Sequence, residues 1–393
     1  ICGDGSYSGE NEQDVSGKYI MPGFIDSHVH IESSMTQPSE YAKAVMPHGI
    51  TTVIADPHEI TNVCGEDGLE FMLKSAKNIP LDVNLMLPSC VPATPFEHTG
   101  ANLDAKTTQK LASKFFGIGE MMNYPGIVSG DDETLGKLCL DIIDGHAPLL
   151  SGHELDAYAS AGIKTDHECS VIEEMAEKIS KGMYILLREG TLSLDVAKLI
   201  KGVTPYTLRR CAFCTDDRFV GEIIRDGSID HCIRKAVSLG LNNIDAIIMA
   251  TLNACEIYGM KNKGAIAPSY VADIVVADDL NLSSISQVYK NGKLVCENGK
   301  ALFECETVDN SKVTNTVHLP KISADFFKTD VKDKFDAIEL IPESIITKKV
   351  TVSYSDSLSK VCVIERHHNL GTKGIGFVTN YGITNGAIAT SIG

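Results

Sequence analysis

The sequence predicts an α/β protein built on a closed, eight-stranded parallel barrel, with a small β-sandwich domain drawn from both flanks and a further C-terminal α+β segment. Three observations lead there. Short apolar runs alternate with longer amphipathic stretches from about Ile20 to about Ile257, the runs number eight, and segments of β type lie on either side. The expected strands are Ile20 to Ile25, Ile50 to Ala55, Leu81 to Leu87, Phe115 to Gly119, Asp141 to Gly145, Ile163 to Thr165, Met183 to Leu187 and Arg210 to Thr215. Helical stretches separate them: Asp104 to Lys114, Asp131 to Leu140, Glu154 to Ala161, Val171 to Ser180, Leu194 to Ile200 and Ile229 to Leu239. Several of these open on Ser or Asp, side chains that cap a helix start. Eight such units predict a (β/α)8, TIM-like barrel, whose chemistry belongs at the carboxyl ends of the strands.

Outside the barrel, Ala272 to Asp279 and Val288 to Lys300 read as strands, the second a hairpin turning at Asn291-Gly292. The first nineteen residues are short, polar and glycine-rich in the same way. The expected organisation is therefore a composite β domain from residues 1–19 and 264–304, a barrel from 20–263, and a C-terminal segment from 305–393. That last segment has β-rich runs at Lys349 to Ser353 and Lys360 to Ile364.

With 393 residues, 43% of them hydrophobic, the chain can bury a large core. Its 35 lysines and arginines face 52 aspartates and glutamates, and the net charge of -17 repels phosphate backbones and anionic lipid surfaces alike. Nucleic acid and membrane partners are not expected. No apolar run approaches the roughly 20 residues of a membrane-spanning helix, and no leader pattern opens the chain, so the expected location is the cytoplasm. The chain begins at Ile1 and ends at Gly393 in a stretch that reads as strand, which leaves room for further chain at either end.

The twelve cysteines sit in apolar segments such as Leu138-Cys139-Leu140, as reduced, packed thiols do. Cys211-Ala-Phe-Cys214 has the spacing of zinc or redox pairs. Its setting is a short apolar strand, however, on which residues three apart face opposite ways. Packing is the expected role.

Histidines two apart on a strand share a face, so His28 and His30 can offer two imidazoles to one cation. One such pair is a weak signal. The later strands also end in groups of metal-binding type, namely Asp56 and His58, Glu120, His146, His167 and Asp216. Any single histidine is more often a hydrogen-bonded or surface residue than a ligand, but a plain barrel has no need for so many at its strand ends. His48, His98, His153, His231, His318, His367 and His368 lack that placement.

Pro22-Gly-Phe-Ile-Asp-Ser-His-Val-His-Ile-Glu32 resembles the first-strand motif of the amidohydrolase superfamily. Narrower matches follow in Gly49-Ile-Thr-Thr-Val-Ile-Ala-Asp-Pro-His-Glu59, Val91-Pro-Ala-Thr-Pro-Phe-Glu97, Gly117-Ile-Gly-Glu-Met-Met-Asn123, Asp144-Gly-His-Ala-Pro148, Thr165-Asp-His-Glu168 and Glu365-Arg-His-His368. Together these resemble the adenine deaminases of bacteria and archaea over essentially the whole chain.

The resemblance implies a site for two divalent ions held by His28, His30, Glu120, His146, His167 and Asp216, with Asp56 and His58 lining it or binding an additional ion. Many relatives bridge their metals with a modified lysine. Here Glu120 stands in that place, so a carboxylate bridge is expected. Imidazole and carboxylate ligands suit iron, manganese or zinc, and the resemblance favours manganese or iron.

The implied reaction is attack of metal-bound hydroxide on C6 of adenine, giving hypoxanthine and ammonia in purine salvage. Asp216 is expected to shuttle the proton, and Glu120, Glu168 or Glu154 to protonate N1. Arg188 and Ser89 are the expected substrate contacts, with a homodimer as the assembly.

Two other readings stay open from the residues alone: the same barrel acting on a cyclic amide or N-acetyl sugar, and an inactive barrel serving as a scaffold. The zinc deaminases with a Pro-Cys-x-x-Cys motif are excluded, because Cys211 follows Arg210.

Overall fold

The computed structural model describes residues 9–390, apart from 11, 331–332, 343–345, 356 and 384. The chain enters through β1 (Tyr19–Pro22) and continues after Gly23 as β2 (Phe24–Val29). The apolar run expected as one strand, Ile20 to Ile25, is therefore two strands in two sheets. Gly23 marks the crossing: a Cβ there would overlap the Thr51 side chain, so only glycine lets the chain pass so close.

The barrel continues with β3 (Ile50–Ala55), β4 (Asp82–Leu87), β5 (Gly117–Met121) and β6 (Ile143–Gly145). It is completed by β7 (Thr165–Asp166), β8 (Tyr184–Arg188) and β9 (Cys211–Cys214). Two parallel sheets, β2-β3-β4-β5-β6 and β7-β8-β9, make up the wall. The Lys164 amide joins them by donating to the Ile143 carbonyl at 3.2 Å. At the other seam the His30 amide donates to the Asp216 carbonyl (3.2 Å) and the Asp216 amide to the His28 carbonyl (2.9 Å), which closes the ring.

Every residue of β2 and β3 is buried, as parallel strands covered on both faces require. Ile25, Ile54, Met86, Leu186, Ala212 and Cys214 pack in one cluster with Tyr258, while Cys211 and Phe213 belong to another. The two cysteines of the C-x-x-C pair thus pack in different clusters, and burial pushes both thiols up. They are packing residues.

Two expected helices are shorter than the pattern suggests, Asp132–Gly136 and Val196–Leu199. The long helix His58–Ser75 carries no clean periodicity because Gly65 (φ 57°, ψ -135°) breaks it in two. Among the described residues no helix is long and apolar enough to cross a membrane.

Beyond the barrel, β10 (Ile274–Ala277), β11 (Ile285–Lys290), β12 (Lys293–Glu297) and β13 (Lys300–Ala301) join β1 in one antiparallel sheet of order β1-β10-β11-β12-β13. The flanking β domain is thus a single layer in the described residues, and its N-terminal contribution is Tyr19–Pro22. The β11–β12 hairpin turns at Asn291 (φ 51°) and Gly292 (φ 76°), the two left-handed residues such a turn needs.

The C-terminal segment forms a second sheet from β14 (Phe335–Leu340), β15 (Thr347–Val352), β16 (Ser359–Ile364) and β17 (Lys373–Thr379), in the order β15-β14-β17-β16. A 3-10 turn at Ala324–Phe327 is its one helical element among the described residues. It touches the barrel where His368 Nε2 meets the Thr99 carbonyl at 3.0 Å.

Candidate active site

The groups singled out at the strand ends meet in one place, the mouth at the carboxyl end of the barrel. His28 lies on β2 and His30 just past it, and their Nε2 atoms face each other at 3.1 Å, close enough for one ion to touch both. Asp216 follows β9, with Oδ1 at 3.1 Å from His30 Nε2 and 3.6 Å from His28 Nε2. Its φ of 55° is left-handed, a conformation aspartate tolerates better than most residues and which sits at the barrel seam.

Glu120, on β5, is the hub. Its Oε1 faces His58 Nδ1 (3.2 Å) and His30 Nε2 (3.4 Å), while Oε2 faces His146 Nδ1 (2.7 Å) and His167 Nε2 (3.1 Å). The two oxygens of one carboxylate therefore serve two separate sets of imidazoles. Glu168, beside His167, brings Oε1 to 3.6 Å from His167 and 3.8 Å from His146.

Burial works against charge at Glu120, Asp216, His30, His58, His146 and His167, yet charge prevails there. The His146, His167 and His30 imidazoles hold Glu120 well below the usual carboxylate range, and His30, His167 and Arg188 do the same for Asp216. In return, burial is outweighed at His30 and His58, chiefly by Glu59, and at His167 by Glu120 and Asp216, which lift it to about 9. The site thus holds several carboxylates and satisfies them with protons on imidazole, the condition in which a divalent cation can take the protons' place.

Orphaned atoms point the same way. His28 Nδ1 and His167 Nδ1 are buried without a hydrogen bond, and His167 Nε2 and His58 Nδ1 face the Glu120 carboxylate without the alignment of one. Sets such as His28, His30 and Asp216, or His28, Glu120 and His167, each bring their ligand atoms within 4.8 Å of one another. Nitrogen and carboxylate donors with no thiolate fit a borderline or hard divalent ion.

His30 is oriented for this by its other nitrogen, since Nδ1 meets the Asp56 carbonyl at 2.8 Å and leaves Nε2 free. Beneath His28, Asp144 Oδ2 lies 3.7 Å from Nδ1, and Asp144 is itself held by the Tyr258 hydroxyl and Thr165.

Other expected residues take different places. Asp56 spends Oδ2 on the Glu120 amide (2.9 Å), so it holds the hub in position. Ser89 donates to the Glu120 carbonyl at 2.6 Å and presents no hydroxyl to a substrate. Arg188 is buried and engaged by Glu168, Asp195 and Asp216, so it ties two site carboxylates together. Glu154 is exposed on the helix Gly152–Ser160 and makes no bond to the site.

Glu59 escaped the sequence reading. It reaches within 3.6 Å of His30 and 3.7 Å of His58 from the first turn of a helix whose start carries no cap signal. Its adjacency to His58 was the available clue.

A cavity of about 280 Å³ opens beside Asp216, walled by Ser33, Asp217, Phe219 and the Gly190–Ser193 segment. Thr191 pins that segment, its amide donating to the Asp217 carbonyl (2.8 Å) and its hydroxyl to Glu222 (2.7 Å).

Comparison with known proteins agrees with this geometry. The amidohydrolase family matches residues 19–295 and the adenine deaminase C-terminal domain residues 340–393. Over its whole length the chain is 48% identical to an adenine deaminase of Clostridium acetobutylicum, covering 72% of that protein. It is 44% identical over its whole length to one of Halalkalibacterium halodurans, covering 71% of it. In fold it is similar to a beta-aspartyl dipeptidase of Fervidobacterium islandicum (TM-score 0.54, 18% identity, 78% of this chain and 90% of that one). It is similar to the same degree to an enamidase (TM-score 0.54, 17% identity, 74% and 84%). The chain belongs to the amidohydrolase family, on the branch of the adenine deaminases.

Proposed function

We propose that the chain hydrolyses adenine to hypoxanthine and ammonia at a two-metal site in the barrel mouth. The observation that carries this reading is the convergence of two imidazole sets on the two oxygens of Glu120, in a chain similar along its whole length to adenine deaminases. His28, His30 and Asp216 would hold one ion, His146 and His167 the other, with Glu120 between them. His58 offers a further nitrogen on the Glu120 Oε1 side. When bound, divalent ions acidify water enough to supply hydroxide near pH 7. Manganese or iron is favoured over zinc.

The chain's own residues then divide the work. The cavity beside Asp216 takes the purine with C6 towards that carboxylate. Asp216 accepts the proton of the attacking water and returns it to the departing amine, so water adds OH to C6, the C6–N bond breaks and ammonia leaves. The Glu168 carboxylate carries the remaining proton of that water from the new C6 hydroxyl to N1, so the product leaves as the C6-oxo, N1–H form and both carboxylates are restored. Arg188, bound to both carboxylates, keeps them on one side of the substrate and sets their spacing. The residues given these roles all lie in the barrel.

Eleven free cysteines among the described residues support a reducing, cytoplasmic setting. A homodimer is the assembly to check by sedimentation.

The test is direct: load the chain with manganese or ferrous iron, supply adenine, adenosine and 6-chloropurine, and follow hypoxanthine and ammonia. Equimolar hypoxanthine and ammonia from adenine is the expected result. Absence of adenine turnover by protein carrying two ions per chain overturns the reading.

A further inference from the structure

We propose that Lys178 is a positioning residue that sets the spacing of His146 and His167, and so builds one half of the two-metal site. The inference rests on the reading of that site given above.

Lys178 lies on the helix Ile172–Ser180, outside the barrel wall, and is fully buried. Its ammonium has three protons and places all of them: on the Ala147 carbonyl (2.7 Å), Asp166 Oδ2 (2.9 Å) and Glu174 Oε1 (2.8 Å). The two acceptor side chains extend the grip. Asp166 accepts the Ala147 amide (2.9 Å) and the Glu168 amide (3.1 Å), and Glu174 accepts the amides of Leu149 (2.8 Å) and Ser170 (3.4 Å). One buried lysine thus fastens the segment after β6 to the segment after β7. His146 is the residue before Ala147, and His167 lies between Asp166 and Glu168.

His167 depends on this grip. Its Nε2 faces Glu120, itself a member of the site, at 3.1 Å, and its Nδ1 is buried without a hydrogen bond, so no polar group outside the site fixes the ring and its place depends on the backbone on either side. His30, in the other half, has an anchor of its own in the Asp56 carbonyl. The two halves are therefore held by different means, and loss of Lys178 should be felt in one of them.

Stability alone explains the lysine poorly. An ion cluster this deep costs much of what its attractions return, and apolar residues of similar volume often serve a core equally well. What an apolar residue cannot do is hold a carbonyl on one strand end and a carboxylate on the next at a fixed distance.

The experiment is metal titration of the full chain with wild type, Lys178→Met, Lys178→Gln and, as the reference for a lost half-site, His167→Ala, with circular dichroism confirming the fold. The wild type is expected to bind two ions, folded Lys178→Met to retain one tightly and lose the other as His167→Ala does. Lys178→Gln, which keeps donors for Ala147 and Asp166, should weaken the same ion by about 10–100-fold. Two ions bound at wild-type affinity, or both weakened by an equal factor, overturn the proposal. Should Lys178→Met fail to fold, Lys178→Gln decides by the same criteria. A wild-type chain that binds no metal overturns the site reading itself, a result distinct from any in the variants.

Discussion

Arg188 shows how much one buried side chain can be asked to neutralise. Its guanidinium donates to Asp195 through Nε (3.0 Å) and to Asp216 through Nη1 (2.8 Å), and it pairs with both oxygens of Glu168. All four residues are buried. Removing the arginine would strand carboxylates that water cannot reach, and a stranded buried charge typically costs about 3–5 kcal/mol. Arg188→Met is therefore expected to lower the stability of the metal-free chain by about that amount in urea unfolding. Arg188→Lys should recover only part of it, because a single ammonium cannot match the planar fork that serves three partners. A loss below about 1 kcal/mol for Arg188→Met would show that the cluster relaxes or takes up protons instead. The sequence placed Arg188 at the strand end but could not say which way it faces: facing a substrate and facing Glu168 differ by a rotamer, which no spacing encodes.

At the scale of elements, the site depends on Asp56, just past β3, reaching across the end of β4 to the backbone of β5. A Cβ on Gly119 would overlap the Asp56 carboxylate, and that carboxylate holds the Glu120 amide at 2.9 Å. The glycine thus lets the end of β3 brace the end of β5 just behind the hub. Gly119→Ala is expected to push Asp56 aside, costing about 1–3 kcal/mol in stability through overpacking. It should also weaken metal binding by about 10–100-fold, as loss of a ligand's support commonly does. Competition with a chromophoric chelator measures the second effect, and unchanged affinity would show that Asp56 is not the brace.

The strand pattern itself was legible, because parallel strands buried on both faces read as unbroken apolar runs. The break at Gly23 was not, since two strands in different sheets can share one apolar run when a single glycine separates them. The helix His58–Ser75 was hidden by Gly65 and Gly68, which blur its periodicity, and with it went the best reason to notice Glu59.

For the whole molecule, the ligand groups come from both sheets of the barrel and from both sides of its closing seam. His28, His30 and Glu120 stand on the β2–β6 sheet, His167 and Asp216 on or after strands of the other, and the His28–Asp216 bond closes the ring. Metal bound here would cross-link the barrel, and its effect on stability should depend on pH in a definite direction.

In the metal-free chain, His167 titrates near 9 against an ordinary 6.5, because Glu120 and Asp216 outweigh its burial. A raised folded-state pKa contributes stability that is fully present below pH 6.5 and disappears as pH climbs through 9. His30, His58 and His146 are shifted the same way, while the depressed carboxylates Glu120 and Asp216 stay ionised throughout this window and add no slope. The metal-free chain should therefore melt at lower temperature as pH rises from 6.5 to 9.

Metal binding displaces those same imidazole protons, so affinity rises with pH and the stabilisation by metal rises with it, reaching about 2.7 kcal/mol at a hundredfold excess over Kd. For a domain of the barrel's size that is on the order of 5–10 °C in Tm. Melting curves with chelator and with manganese should diverge as pH increases. Parallel curves would mean that the imidazoles at the barrel mouth are not the groups that metal deprotonates.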